Sequence, residues 1–232
     1  MGHGRQFGEI EACVFDAYGT LFDIHAPVAR MASRIGPSAS ELTALWRRKQ
    51  LEYSWLRSLM RTHADFWQVT SEALHYALDV HSIADAELHD ELMRLYLTIE
   101  PYPDARSCLT EIAKVQCRIA ILSNGTPTML SAAVTAANLG ELIEAVISVE
   151  EVGVYKPDPR VYAQALERLA IRWPSSILFV SGNPWDAQAA ANFGFRVARV
   201  DRYGLPNDMI PGRIDILIPG LAEVPGLLAP RR

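Results

Sequence analysis

The sequence predicts an α/β fold: a Rossmann-like, doubly wound parallel sheet core with an inserted helical cap domain. Three observations predict it. Short apolar runs of strand length alternate with helical patterns, which implies parallel strands joined by crossover helices. The first two runs end at Asp16 and Ser123, 107 positions apart, whereas a plain βαβ unit takes roughly thirty residues. The intervening chain carries helical spacing and no strand signal.

Ala12 to Phe15 is an apolar run that reads as a buried strand. It ends on the carboxylate of Asp16, and Gly19-Thr20 follow, where a glycine lets the backbone turn sharply. After Asp23 the pattern changes. Ser38-Ala39-Ser40-Glu41 fits a capping box, and Leu42, Leu45, Trp46, Lys49 and Tyr53 follow at helical spacing. Residues 64–80 and 84–98 also read as helices, and Pro101 and Pro103 stop the last one. Residues 23–100 are therefore expected to form the cap, and residues 1–22 with 101–232 the core. Beyond the cap, Asp104 begins a helix. Strands are expected at Arg118–Leu122, Ala145–Ile147, Ile177–Val180, Arg196–Val200 and Ile214–Ile218. Thr126-Pro127 and Asp158-Pro159 are cap-plus-proline helix starts.

The 232 residues are half apolar, about a fifth charged and carry a net charge of −5, the balance of a soluble globular enzyme with no basic footprint for nucleic acid. No apolar run approaches a membrane span. Met1-Gly2-His3-Gly4-Arg5-Gln6 lacks a signal peptide's apolar core and the Ser or Thr at position 6 of the myristoylation pattern. Cys13, Cys108 and Cys117 form no C-x-x-C and cannot all pair, so a reduced, cytoplasmic protein is expected, with Cys13 as core packing. The six histidines show no metal spacing.

Four polar signals fall at or near strand ends: Asp16, Ser123-Asn124-Gly125, Lys156-Pro157, and Ser181 through Asp186. Open α/β sheets place their sites at that edge. The first signal, Asp16-Ala17-Tyr18-Gly19-Thr20-Leu21-Phe22-Asp23, resembles the nucleophile motif of the haloacid dehalogenase superfamily. Tyr18, Leu45-Trp46-Arg47 and Ile121-Leu122-Ser123-Asn124-Gly125 extend the resemblance over nearly the whole chain, toward the branch that acts on (S)-2-halo acids. That resemblance implies hydrolysis of short (S)-2-haloalkanoic acids to (R)-2-hydroxy acids through an aspartyl ester, without metal or other cofactor, in a homodimer that binds only a small-molecule substrate.

The resemblance also implies the roles. Asp16 is the nucleophile and Thr20 holds it. Lys156 keeps it ionised and, with Ser123, binds the substrate carboxylate. Arg47 and Asn124 cradle the halide. Ser181, Asn183 and Asp186 position and activate water, and Tyr162 orients its neighbours. Tyr18, Leu51, Phe66 and Trp185 wall the alkyl side of the substrate. Plainer readings stand beside these: Leu51 and Phe66 as cap core, Tyr162 as packing, and one of Arg47 and Arg48 as a solvated charge.

A phosphatase of the same superfamily is the alternative, but it uses an Asp two residues after the nucleophile and a later Asp on Mg²⁺. Those positions hold Tyr18 and Gly182, where the dehalogenases usually carry Ser at the second. A catalytically silent binding protein is the other alternative. Against it, every expected polar position is filled, and idle buried polar groups are costly.

Overall fold

The computed structural model describes Phe7 and residues 9–228. Met1 to Gln6, read above for a leader or lipid signal, lie outside the described residues.

Strand β1 (Ala12–Phe15) runs through the middle of a six-stranded sheet. The others are β2 (Arg118–Ser123), β3 (Ala145–Ser148), β4 (Ile177–Ser181), β5 (Arg196–Val200) and β6 (Ile216–Ile218). Their order is β3-β2-β1-β4-β5-β6, and every adjacent pair is parallel. The chain moves outward from β1 to β3, then crosses back to place β4 on the other side of β1. The topological switch point therefore lies between β1 and β4, directly beneath Asp16. All four β1 residues are inaccessible to solvent, Cys13 among them, as its reading as core packing requires. No disulfide joins the three cysteines.

The last strand starts two residues later than expected. The Asp215 carboxylate accepts a hydrogen bond from the Val197 amide at 2.8 Å and also meets Arg196. A side chain thus occupies the place of a backbone ladder bond, and pairing begins at Ile216.

Between β1 and Pro101 the structure is helical: α1 (Ala26–Arg30), α2 (Ala32–Ile35), α3 (Ala39–Met60), α4 (Phe66–Val80) and α5 (Ala86–Leu97). Asp65 and Asp85 cap α4 and α5 by accepting the Gln68 and Leu88 amides. The capping box at Ser38 does not form. A 3₁₀ turn at Gly36–Ser38 runs straight into α3, so Ser38 lacks the extended backbone that aims a capping hydroxyl back at the helix. The helical segment leaves and rejoins the sheet at one place, where Asp23 N donates to Glu100 O and Tyr102 N to Leu21 O.

The remaining helices are α6 (Ala105–Lys114), α7 (Pro127–Ala136), α8 (Pro159–Arg168) and α9 (Pro184–Phe193). Thr126 and Asp158 cap α7 and α8 as expected. Asp104 precedes α6 without capping it; its carboxylate instead holds Arg202 and the Leu221 amide. Helix α9 is alanine-rich and has little apolar periodicity to announce it. Among the described residues no helix is long and apolar enough to cross a membrane.

Candidate active site

Asp16 is the residue after β1 and is buried, 6% exposed. Its two oxygens have different surroundings. Oδ2 accepts the Thr20 hydroxyl at 2.9 Å and the Asn183 side-chain amide at 2.7 Å. Among the described residues Oδ1 accepts only the Lys156 ammonium, at 3.2 Å. Thr20 is aimed by the Gly182 amide, which donates to its oxygen at 2.8 Å. Because that lone pair is taken, the hydroxyl proton faces Asp16.

Gly182 has a packing reason to be glycine. A Cβ there would lie 2.3 Å from the Gly19 carbonyl oxygen, and Gly19 itself has φ +86°. Two loops, after β1 and after β4, touch backbone to backbone at the foot of the site. Gly125 is similarly tight, since its Cβ would meet the Tyr18 ring at 2.8 Å.

Lys156 is 1% exposed and bridges two carboxylates, Asp16 at 3.2 Å and Asp186 at 2.8 Å. Burial alone would weaken its hold on a proton, but Asp16 and then Asp186 outweigh that and leave it above the usual lysine value. Asp186, in the first turn of α9, is fully buried. It accepts Ser181 Oγ at 3.2 Å and the Tyr162 hydroxyl at 2.7 Å. Burial, more than the opposing pull of Lys156, pushes its carboxyl up to about 6, the range of a general base working near neutral pH.

Arg47 reaches down from α3. One guanidinium nitrogen donates to Asn183 Oδ1 at 3.2 Å, and the other to Gln50 at 2.6 Å. Arg48 is exposed and makes no hydrogen bond or ion pair among the described residues, which makes it the solvated member of the pair.

Asp16, Thr20, Arg47, Lys156, Tyr162, Ser181, Asn183 and Asp186 thus form one hydrogen-bonded constellation. Tyr162 is packed and also bonded into this cluster, its ring on Phe179 and its hydroxyl on Asp186. Asn124 joins through its side-chain oxygen, which accepts the Lys156 backbone amide at 3.1 Å. No hydrogen bond links Asn124 to Arg47, its expected partner in the halide cradle. Ser123 is fully buried, and its hydroxyl accepts the Gly125 amide at 3.1 Å. Tyr18, Phe66 and Tyr96 form an aromatic wall, with ring centroids 5.8 and 5.1 Å from that of Tyr18. Leu51 and Trp185 are half-buried.

The sequence reading missed the support behind Arg47. Gln50 is buried, takes Arg47 through its oxygen, and donates to Thr70 Oγ1 at 2.7 Å and to Tyr96 OH at 3.2 Å. This network fixes the guanidinium from behind. The i,i+3 spacing of Arg47 and Gln50 on one helix was its sequence signal; Thr70 and Tyr96 come from other helices and left none.

The site combines a carboxylate with one lightly held oxygen, a buried cation, a second carboxylate poised near 6 and an arginine entering from above. It suits nucleophilic displacement followed by hydrolysis of an ester. Comparison with known proteins agrees. The model of the haloacid dehalogenase-like hydrolase family matches residues 10–194. The chain is 43% identical over 221 residues to (S)-2-haloacid dehalogenase 4A of Burkholderia cepacia, covering 95% of each. It is 45% identical over 220 residues to (S)-2-haloacid dehalogenase 1 of Pseudomonas sp. strain CBS-3, covering 94% of this chain and 96% of that one. The solved L-2-haloacid dehalogenase from Xanthobacter autotrophicus with covalently bound chloropropionic acid superposes with a TM-score of 0.87 at 40% identity, over 94% of this chain and 98% of that chain.

Proposed function

The chain belongs to the haloacid dehalogenase-like hydrolases, and from that premise we propose that it hydrolyses short (S)-2-haloalkanoic acids to (R)-2-hydroxy acids through an ester on Asp16. The asymmetry of the Asp16 carboxylate carries the reading. Oδ1, with the single longer contact, is the attacking oxygen. Its lone pair forms the bond to C2 as the carbon–halogen bond breaks, and the halide leaves with the electron pair. Halide needs no proton to depart. Arg47, with Asn124, stabilises the charge that develops on it.

Water then attacks Cγ of Asp16, and Asp186 takes its proton. Negative charge gathers on Oδ2, which already faces the Thr20 hydroxyl and the Asn183 amide, so both donors serve as an oxyanion hole. The Cγ–Oδ1 bond breaks as the Lys156 ammonium passes a proton to Oδ1 and is reprotonated by Asp186; the hydroxy acid leaves with Oδ1, the water oxygen remains in Asp16, and the second water proton goes to solvent. Lys156, with Ser123, receives the substrate carboxylate. Ser181 and Tyr162 hold Asp186. Tyr18, Leu51, Phe66 and Trp185 enclose the alkyl side. In this reading residues 1–22 and 101–232 are the core and 23–100 the cap that delivers Arg47.

A phosphatase fits less well. Burial, reinforced by Tyr96 and Asp16, pushes the Tyr18 hydroxyl well above the usual tyrosine value, making it a poorer acid for an alkoxide leaving group. At position 182 the Gly19 carbonyl leaves no room for a metal-binding carboxylate, and an ammonium already sits between the two aspartates. A cytoplasmic location is supported by the absence of a disulfide among the three cysteines. A homodimer is supported by the apolar residues Leu56, Met60 and Val80, exposed on the cap helices.

Chiral analysis tests the reading. Racemic 2-chloropropionate is expected to stop at half conversion, leaving the (R) acid and yielding (R)-lactate. Full conversion to racemic lactate overturns both the site geometry and the substrate assignment.

A further inference from the structure

A groove of about 880 Å³ opens beside the site, and Lys156 and Trp185 belong to its lining. Its upper wall is a stripe of α3. Leu51, Trp55 and Leu59 follow at i, i+4 and i+8, so they share one helix face. Trp55 and Leu59 line the groove, Leu59 80% exposed at the mouth, and half-buried Leu51 lies one turn before Trp55 toward the site. The Trp55 ring meets Trp185 edge-on at 5.4 Å. An apolar path therefore continues outward from the wall already assigned to the substrate's alkyl side.

The opposite lip is Met209 and Ile210, of which Met209 is wholly exposed. This lip is anchored. Gln188 donates to the carbonyls of Asp208 and Ile210 at 2.9 and 2.8 Å. Gly212 packs so closely that a Cβ would lie 1.8 Å from the Gln188 carbonyl oxygen. An apolar surface held open toward water beside a site marks a binding surface.

We propose that this groove is a subsite for the unbranched alkyl tail of medium-chain 2-haloalkanoic acids, with Leu59 and Met209 as chain-length determinants. The proposal rests on the 2-haloacid reading above and extends it past short acids. Eight residues of α3 rise about 12 Å from Leu51 to Leu59, room for a tail of roughly eight to ten carbons. Asp158 and Asp208 lie along the lining, so the far end of the tail is uncharged; a terminal carboxylate is repelled. Full burial of a methylene is worth about fourfold in affinity, and a tail with one side open to water gains about twofold per carbon.

Initial rates of halide release from (S)-2-bromo acids, from butanoate to decanoate, test this in the native protein and in Leu59→Asp and Met209→Asp. Both substitutions fall on exposed side chains, and 2-chloropropionate serves as the internal control. The native kcat/KM is expected to climb about twofold per carbon along the series. In each variant the climb flattens while 2-chloropropionate turnover stays within about twofold of native. A native series that falls beyond butanoate, or a climb that both variants leave intact, overturns the subsite alone. A change in sedimentation of Met209→Asp with an unchanged series assigns the groove to a second copy of the chain and also overturns it. Loss of turnover on 2-chloropropionate in the native protein overturns the underlying reading, and the subsite with it.

Discussion

Replacing Lys156 by Met removes, among the described residues, the only cation bonded to Asp186 and the only donor to Asp16 Oδ1. The methionine side chain has comparable length and no charge, so the change is chiefly electrostatic. Two buried carboxylates are left facing one another with no cation between them, only the neutral donors Thr20 and Asn183 on one and Ser181 and Tyr162 on the other. At an effective dielectric of about 20, each lost attraction at these distances is about 5 kcal/mol before the cost of desolvation is returned. Breaking buried pairs by removing one partner costs about 3–5 kcal/mol net. For a protein of this size that lowers the melting temperature by about 10 °C. Asp186, already pushed up to about 6 and now without the opposing pull of Lys156, takes up a proton at neutral pH, so the base is lost and kcat falls by a factor of about a thousand. Adding Asp186→Asn removes the repulsion and recovers part of the melting temperature while turnover stays absent. Differential scanning fluorimetry and a halide electrode read both. A Lys156→Met protein that melts like the native one, or keeps more than about a tenth of its turnover, refutes the reasoning.

Arg47→Ala is expected to cost about 3 kcal/mol of transition-state stabilisation, near a hundredfold in kcat/KM, while Arg48→Ala leaves rates close to native; equal effects contradict the halide site. Gly182→Ala pushes a Cβ into the Gly19 carbonyl, destabilising the fold by about 1–3 kcal/mol in urea unfolding and slowing turnover by moving Thr20; a native midpoint and rate refute the contact. Asp186, raised to about 6 by burial, is protonated below that pH and so cannot accept the water proton. Where ester hydrolysis limits turnover, kcat is therefore expected to fall about tenfold per pH unit below 6 and to level off above it; an acid limb centred near 4 contradicts the assignment.

The sheet was legible because each strand is a bounded apolar run, and because the excess chain between Asp16 and Ser123 had to go somewhere. That Asp16, Lys156 and the Ser181–Asp186 loop gather at one edge of the sheet was legible from polar residues at or near strand ends; the roles proposed for them came from the family resemblance. Two kinds of information were not legible. Gly182 read only as a missing ligand; that the Gly19 carbonyl crowds any Cβ there depends on two loops that meet across 163 positions of chain. The Arg47–Gln50 pair is local, but its backing by Thr70 and Tyr96 joins three helices, which no local spacing encodes. Conversely, Ser38 and Glu41 satisfied a capping pattern, yet the preceding turn denied Ser38 the backbone it needed. The apolar lip at Met209 and Ile210 sits in a polar, proline-containing stretch whose position over the site follows only from the anchoring by Gln188.

The central claim is that Asp16 becomes covalently bonded to the substrate. It is tested most directly by single turnover of (S)-2-chloropropionate in ¹⁸O water, with excess enzyme, followed by mass analysis of lactate and of the peptide containing Asp16. The account predicts unlabelled lactate and one heavy oxygen in the Asp16 carboxylate. Heavy oxygen in the lactate of that first turnover, with an unlabelled peptide, would mean that water attacks C2 itself and that Asp16 acts only as a base.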